Sequence, residues 1–206
     1  MTVIAFRSRE REVLDPGCEL ERRLGLAASE DRARGMFFLG VLDVVRREAG
    51  ETQAARCLAA SGERRFVPFF LYPVSAFLRM SFAAAEILAP RLGGFETAMR
   101  IIGAQATHDF LDSVVGRSFL MLAAGDPRRL VNNLPSGYRT AVTYGERHVT
   151  WMGHQEGCIN VFRDFMPHTY HEGVLLAVLQ AVGTRVARVR GRPLSLLDCE
   201  YVVSWA

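Results

Sequence analysis

Five histidines are the side chains of this sequence best suited to acid–base or metal chemistry. His168 and His171 are three residues apart, a spacing that can place two metal ligands on one helix face, and His154 and Cys158 precede them. However, His168 comes before the predicted start of the helix, so the two rings need not point together. The pattern is also looser than established metal motifs. No metal site is therefore predicted.

His108 is followed by Asp109, and a histidine beside a carboxylate can act as a general base with an orienting partner. The alternative is an ordinary helical histidine with an acidic neighbour. The sequence has no Gly-x-Ser-x-Gly or Gly-x-Gly-x-x-Gly motif. A Walker motif is also impossible, because all 25 basic residues are arginine. No catalytic residue is assigned on this basis.

Composition favours one globular domain without nucleic-acid chemistry. The 206 residues are half hydrophobic and 23% charged, and the net charge of +3 comes from scattered arginines. The longest uncharged apolar segment, residues 66–78, contains two prolines and is too short to span a bilayer. The apolar run Val3–Phe6 is too short for a signal peptide. The four cysteines form no Cys-x-x-Cys pair, which predicts reduced thiols and a cytoplasmic location; they are Cys18, Cys57, Cys158 and Cys199.

The stretch Pro167–Gly183 predicts a helix around which the rest of the chain is organised. Thr169 and Glu172 have the spacing of a capping box at its start, and Gly183 falls where a left-handed residue would end it. Between these signals almost every residue is apolar. A helix without a polar face must be enclosed by other elements, so we expect it to lie at the centre of the fold.

Helical patterns fill the chain before this point. Helices are predicted at residues 18–24, 36–49, 52–60, 74–89 and from Phe95 onward past Asp109, with a short helix from Asp126-Pro127 to about Leu134. The broad apolar face of Met36–Val45 is a candidate dimer surface, and packing within the chain is the alternative. Residues 1–62 are accordingly predicted to be a helical extension or dimerisation part, and residues 63–206 the core of a single domain.

After Pro135-Ser136-Gly137 the pattern becomes alternating. Residues 138–144, 147–153 and 157–163 read as a three-strand meander, and residues 184–190 and 194–205 as a hairpin around Gly191-Arg192-Pro193. The fold class predicted is α+β: a helical N-terminal half, then an antiparallel sheet built from the meander, the buried helix and the closing hairpin.

Six segments together resemble a large paralogous family of unknown function found chiefly in myxobacteria, the domain of unknown function 2378. They are LDPGCELERRL (14–24), ARGMFF (33–38), YPVSAFLR (72–79), GDPRRL (125–130), YHEGVL (170–175) and LDCEY (197–201). The order of elements is similar, more distantly, to a superfamily of haem-nitric-oxide-binding domains, vinyl-reductase-type sensors and TRAPP subunits. That resemblance implies a fold that holds haem, a small apolar ligand or an acyl chain, often as a dimer.

The haem branch of that superfamily carries a helical histidine followed by Tyr-x-Ser-x-Arg. Here Tyr72, Ser75 and Arg79 are differently spaced and precede every histidine, so no cofactor is predicted.

The leading hypothesis is a non-enzymatic, cytoplasmic sensing or protein-interaction domain that is a homodimer. An apolar ligand would lie between the central helix and the sheet. Candidate lining residues, which could equally be core aromatics and their neighbours, are Tyr72, Arg79, Tyr144, Trp151, Tyr170 and His171. The alternatives are an enzyme that uses His108 with Asp109 or His171, and a structural interaction protein without a ligand.

Overall fold

A computed structural model describes residues 15–206, so the predicted Val3–Phe6 segment lies outside the described residues. The described part of the chain forms eight helices and six strands. The helices are α1 (Pro16–Leu24), α2 (Gly35–Ala49), α3 (Glu51–Ser61), α4 (Val74–Leu92), α5 (Phe95–Asp112), α6 (Val114–Ala123), α7 (Pro127–Ala141) and α8 (His168–Ala181). The strands are β1 (Arg32–Arg34), β2 (Leu71–Pro73), β3 (Glu146–Trp151), β4 (Glu156–Phe162), β5 (Ala187–Pro193) and β6 (Cys199–Trp205). None of the described helices is long and apolar enough to cross a membrane.

The predicted helical half is confirmed, and its apolar faces form one core. On α2, Phe38 is fully buried and stacks on Phe66 with ring centroids 4.3 Å apart. The apolar face of α2 therefore packs inside the chain, where it is unavailable as the dimer surface considered above. Helix α4 continues through Pro90 and ends only where Gly93 adopts a left-handed φ of +82°. The sequence predicts the end of this helix at residue 89, with Pro90 and Gly93-Gly94 as the signals; Gly93 is confirmed as its end, whereas Pro90 lies inside the helix.

The four-stranded antiparallel sheet has the order β3-β4-β6-β5. On β6, Tyr201 and Val203 are buried and alternate with half-buried residues, as the sequence predicted. The closing hairpin is confirmed, but β5 continues through the predicted turn, and Pro193 pairs with Cys199. A separate two-stranded sheet joins β1 to β2.

The predicted first strand of the meander is wrong, because residues 138–141 are the last turn of α7. The sheet receives only the hairpin β3–β4 from this region. Val142 follows the helix and forms an isolated bridge with Ala33 of β1. The helical signal lies in the spacing of Leu134, Tyr138 and Ala141, which continues one face of α7, and Pro135 is accommodated inside the helix.

Helix α8 is enclosed on two sides, which confirms its predicted central position. Leu175 and Leu179 pack into the cluster that contains the inner face of the sheet. On the opposite side α8 meets α5 so closely that a Cβ on Gly173 would overlap the carbonyl oxygen of Arg100. As predicted, Gly183 follows the end of α8 in a left-handed conformation, with a φ of +82°.

The predicted capping box at the start of α8 was wrong. Thr169 is buried, and no side chain caps the helix. Glu172 instead accepts a hydrogen bond from the Gly191 N–H at 2.8 Å and pairs with Arg100 at 2.8 Å. Glu172 thus connects α8 to β5 and α5.

A candidate ligand cavity beside the central helix

An apolar cavity of about 90 Å³ lies beside α8. Helices α5, α7 and α8 supply most of its walls, and single residues of α2, α4, α6 and β3 and residues of the loops on either side of the β3–β4 hairpin contribute the rest. The sequence placed a ligand between α8 and the sheet instead. That position is closed because Leu175 and Leu179 fill it with packed side chains.

Helix α7 forms one wall of the cavity because its apolar residues fall at helical spacing. Leu130, Leu134, Gly137, Tyr138 and Ala141 all line the space. These positions follow the i, i+4, i+7, i+8, i+11 repeat of one helix face. The predicted helix to about Leu134 contains the first part of this wall, and the wrongly predicted strand covers Tyr138 and Ala141.

Helix α6 is the outer wall, and it begins with a well-formed cap. The Ser113 hydroxyl accepts a hydrogen bond from the Gly116 N–H at 3.0 Å. Gly116 packs so tightly on Phe110 that any Cβ would overlap the backbone there. Phe119 then faces the cavity, while Val114 and Met121 on the outer side are 76% and 74% exposed. Helix α6 therefore contributes Phe119 to the cavity and exposes apolar side chains on its outer side.

A buried polar cluster stands at one end of the cavity: Arg147 of β3, Asp164, and Tyr138 and His171 on α7 and α8. The Arg147 guanidinium donates to Asp164 Oδ2 and, at 3.0 Å, to the carbonyl of Tyr144. His171 Nδ1 lies 3.1 Å from the Tyr138 hydroxyl, and His171 Nε2 lies 2.8 Å from Asp164 Oδ1 without hydrogen-bond alignment. We call these four residues the polar cluster.

Electrostatics keep Asp164 charged in this apolar setting. Burial alone would raise the pKa of its carboxyl, but the nearby imidazole of His171, the charge of Arg147 and the hydrogen bond from the Met166 amide lower that pKa well below its usual range. The Arg147 guanidinium also lies 4.0 Å above the Tyr138 ring. Burial raises the pKa of the Tyr138 hydroxyl, which therefore stays protonated.

The short connection between β4 and α8 fixes the position of Asp164. Arg163, at a φ of +52°, makes two hydrogen bonds to Asp31 at 2.6 and 2.8 Å. The Asp164 amide donates to the carbonyl of Leu197 at 2.8 Å. Arg23 of α1 donates to the carbonyl of Phe165 at 3.0 Å. The polar cluster is thus anchored to both the helical half and the sheet.

Three of the six candidate residues come together at this cavity: Tyr144, Tyr170 and His171 all line it. The other three lie elsewhere among the described residues. The Tyr72 hydroxyl accepts a hydrogen bond from the Val67 N–H at 2.9 Å, and Arg79 is exposed on α4. Trp151 Nε1 donates to Asn132 at 2.9 Å at the far end of β3.

The other histidines do not form a second centre. His108 is exposed and does not line the cavity, while burial raises the pKa of the neighbouring Asp109. His154 is exposed in the turn between β3 and β4, and His168 is half-buried at the start of α8. Across residues 15–206, no group of three or more His, Cys, Asp or Glu side chains could hold a metal ion.

Sequence reasoning missed Arg147, Asp164 and Tyr138. For Arg147 a signal was available, because it shares the inward face of β3 with Val149 and Trp151. An arginine on an inward strand face requires a buried partner. Asp164 carries no comparable signal, because it lies in a connection without periodicity.

The fold of this chain is found in solved structures. The chain has the fold of H-NOX proteins, the haem-nitric-oxide-binding domains that its order of elements resembles. An H-NOX protein from K. algicida, unliganded in the Fe(II) state, matches with a TM-score of 0.64 and 12% identity over 84% of this chain and 96% of that one. An H-NOX protein from S. oneidensis in the Fe(II)NO state matches with a TM-score of 0.65 and 12% identity over 84% of this chain and 99% of that one.

A third structure is the IWP-051-bound H-NOX from Shewanella woodyi in the Fe(II)CO state. It matches with a TM-score of 0.63 and 13% identity over 84% of this chain and 94% of that one. No curated protein matches the chain. Residues 26–206 match the family described as protein of unknown function, DUF2378. The chain belongs to this family, which confirms the resemblance identified from its segments.

The residues of this site do not fit a haem. The cavity of about 90 Å³ is well below the roughly 300–1,000 Å³ of typical ligand and cofactor pockets. His171 is the histidine that lines it, and its two ring nitrogens already face Tyr138 and Asp164. An axial ligand needs one free ring nitrogen, so His171 would have to give up either Tyr138 or Asp164.

Proposed function

We propose that this protein is a non-enzymatic sensing domain whose cavity beside α8 binds a small apolar molecule. The observation that carries the proposal is a cavity lined almost entirely by carbon, with the polar cluster at one end. Apolar cavities can take up small apolar guests. The likeness to H-NOX proteins supports a sensing role through the fold alone.

The cavity is placed where a guest could alter the surface of the protein. Phe119 touches the guest space from α6, whose opposite side is exposed. A guest that displaces Phe119 would therefore shift a surface helix. The polar cluster on the other side of the cavity is anchored to α1 and the sheet, so we expect that side to stay fixed.

Binding is tested on the full chain by two-dimensional NMR with xenon and with methylenecyclobutane as apolar probes. Saturable shifts of residues around α5, α6 and α7 are expected. The variant Ala106→Leu puts a larger side chain into the cavity and should abolish these shifts. Ala55→Leu, an identical change at an exposed position of α3, should preserve them. Unchanged spectra of the wild-type protein with both probes would refute the proposed function.

Native mass spectrometry of freshly purified protein, with an absorption spectrum, gives an independent test. A small organic molecule that co-purifies with wild type and is absent from Ala106→Leu would support the cavity as its site. A Soret band would contradict the conclusion that haem does not fit.

The enzyme alternative required a cleft at His108, and the exposed position of that ring gives the alternative no support. The alternative that uses His171 is also weak, because the ring is held between Tyr138 and Asp164. The interaction-protein alternative predicts no guest and is tested by the same titration.

A homodimer and a cytoplasmic location stay predictions, as does the division at residue 62. Sedimentation equilibrium of the full chain tests the homodimer. Any dimer would use a surface other than the apolar face of α2, which is buried.

A further inference from the structure

We propose that helix α6 is the contact surface between two copies of this chain, which pack antiparallel about a two-fold axis near Ser118. The proposal concerns the outer side of α6 and does not depend on the cavity or on a guest. It names a surface for the predicted homodimer, for which the buried face of α2 is unavailable.

The first observation is where the exposed apolar side chains lie. Among the helices of residues 15–206, α6 alone exposes large apolar side chains. They are Val114 at 76%, Val115 at 45%, Met121 at 74% and Leu122 at 67% exposure. Residues at i, i+1, i+4, i+7 and i+8 share one side of a helix, so these four surround the exposed Ser118. We call these five residues the outer face of α6. A contiguous exposed apolar patch of this kind marks an interaction site.

The second observation is that the outer face is self-complementary. Val114 and Val115 lie four and three residues before Ser118, and Met121 and Leu122 lie three and four residues after it. A two-fold axis at Ser118 therefore places Val114 against the partner's Leu122, and Val115 against the partner's Met121. Each pair joins a short side chain to a longer one, and the small serine at the axis allows close approach. An isologous dimer needs such a self-complementary patch.

The third observation is the charge of α6, which favours a second copy over a charged partner. The outer face has no charged side chain, and Arg117 at its edge is the one charged residue of the helix. Nucleic acids and anionic membranes are bound through several basic groups. An apolar surface without such groups matches another copy of itself better than either of these partners.

The size of the outer face sets the strength of the dimer. A standard stable interface buries roughly 800 Å² on each partner. The outer face belongs to a single helix of ten residues, which is roughly 15 Å long and supplies less area than that. We therefore expect reversible dimerisation with a Kd on the order of micromolar.

Sedimentation equilibrium of the full chain at several concentrations tests the proposal. The wild type should show a monomer–dimer equilibrium, and Val114→Asp and Leu122→Lys should each raise the Kd at least about tenfold, because each places a charge in an apolar contact. Both substitutions suit the helix dipole, since Val114 begins α6 and Leu122 lies in its last turn, so α6 should stay folded. Val186→Asp, the same change at an exposed position outside α6, should leave the Kd unchanged.

Mixing the two variants tests the antiparallel arrangement itself. In a dimer of one copy of each, the new carboxylate faces the new ammonium group, and the second pair keeps its natural residues. The mixture should therefore dimerise more tightly than either variant alone. A mixture that is no tighter, a wild type that stays monomeric, or a dimer that both variants leave intact would overturn the proposal. Binding of monomeric wild type to phosphatidylcholine vesicles would also overturn it and assign the outer face to a membrane surface.

Discussion

Replacing Arg147 with methionine should destabilise the protein severely, because it leaves the Asp164 carboxylate buried without its main counter-charge. The two side chains are 3% and 4% exposed, so water cannot replace the lost cation. Breaking a buried ion pair from one side costs about 3–5 kcal/mol. A domain of this kind has roughly 5–15 kcal/mol of stability, so the variant should fold but unfold at markedly lower urea concentration.

The loss should depend on pH in a direction fixed by Asp164. In the wild type the pKa of this carboxyl is lowered, so its contribution to stability is present above the unfolded-state pKa near 3.8 and is lost as the pH falls below it. In Arg147→Met the effect of burial is less opposed, and the folded-state pKa should rise. Protonation of Asp164 then removes the unpaired buried charge from the variant. The difference in unfolding free energy between variant and wild type should therefore become smaller as the pH falls from 7 to 4.

Urea unfolding at several pH values measures this difference. Arg188→Met, at an exposed position of β5, is the matched control and should change stability by less than about 0.5 kcal/mol. The double variant Arg147→Met with Asp164→Asn should recover a large part of the loss, because no charge is left unpaired. A loss below about 1 kcal/mol, or one that is constant with pH, would refute the account of the polar cluster.

Two further predictions concern the helices around the cavity. Gly173→Ala should lower the free energy of unfolding by about 1–3 kcal/mol or more, because its Cβ would overlap the Arg100 carbonyl. Gly153→Ala is the control, because its Cβ would meet nothing within 4 Å. Thermal unfolding should show that this control is neutral. Ser113→Ala should cost about 1 kcal/mol by removing the cap of α6, and hydrogen exchange should speed up in α6. Ser118→Ala, exposed on the same helix, should leave exchange unchanged, and equal acceleration by both variants would contradict the role of the cap.

The part of the fold that sequence could predict is the part with a sustained period. Helix α8 is apolar on all sides, which requires enclosure, and the structure encloses it between α5 and the sheet. Strand β6 alternates without interruption from Cys199 to Trp205. In these elements each residue repeats the same signal, so a single irregular position does not change the interpretation.

The C-terminal part of α7 was not predicted as a helix, because two local signals disagreed with the longer helical pattern. Pro135 and Gly137 read as the end of a helix, yet Leu130, Leu134 and Ala141 continue one helical face across them. Proline weakens a helix by removing one hydrogen bond, and packing of that face against α6 and α8 outweighs the loss. Three of the six candidate lining residues, Tyr72, Arg79 and Trp151, lie away from the cavity.

The polar cluster shows a different limit. Arg147 lies on the inward face of β3. Its position in the alternating pattern of the strand is enough to predict a buried charge that needs a counter-ion. Its partner Asp164 is 17 residues further along the chain, and His171, which lies beside Asp164, is 24 residues further. Their approach depends on the β3–β4 register, on the Arg163–Asp31 pair and on the entry angle of α8. Sequence can therefore establish that a compensating group must exist, but only the assembled elements determine which side chain supplies it.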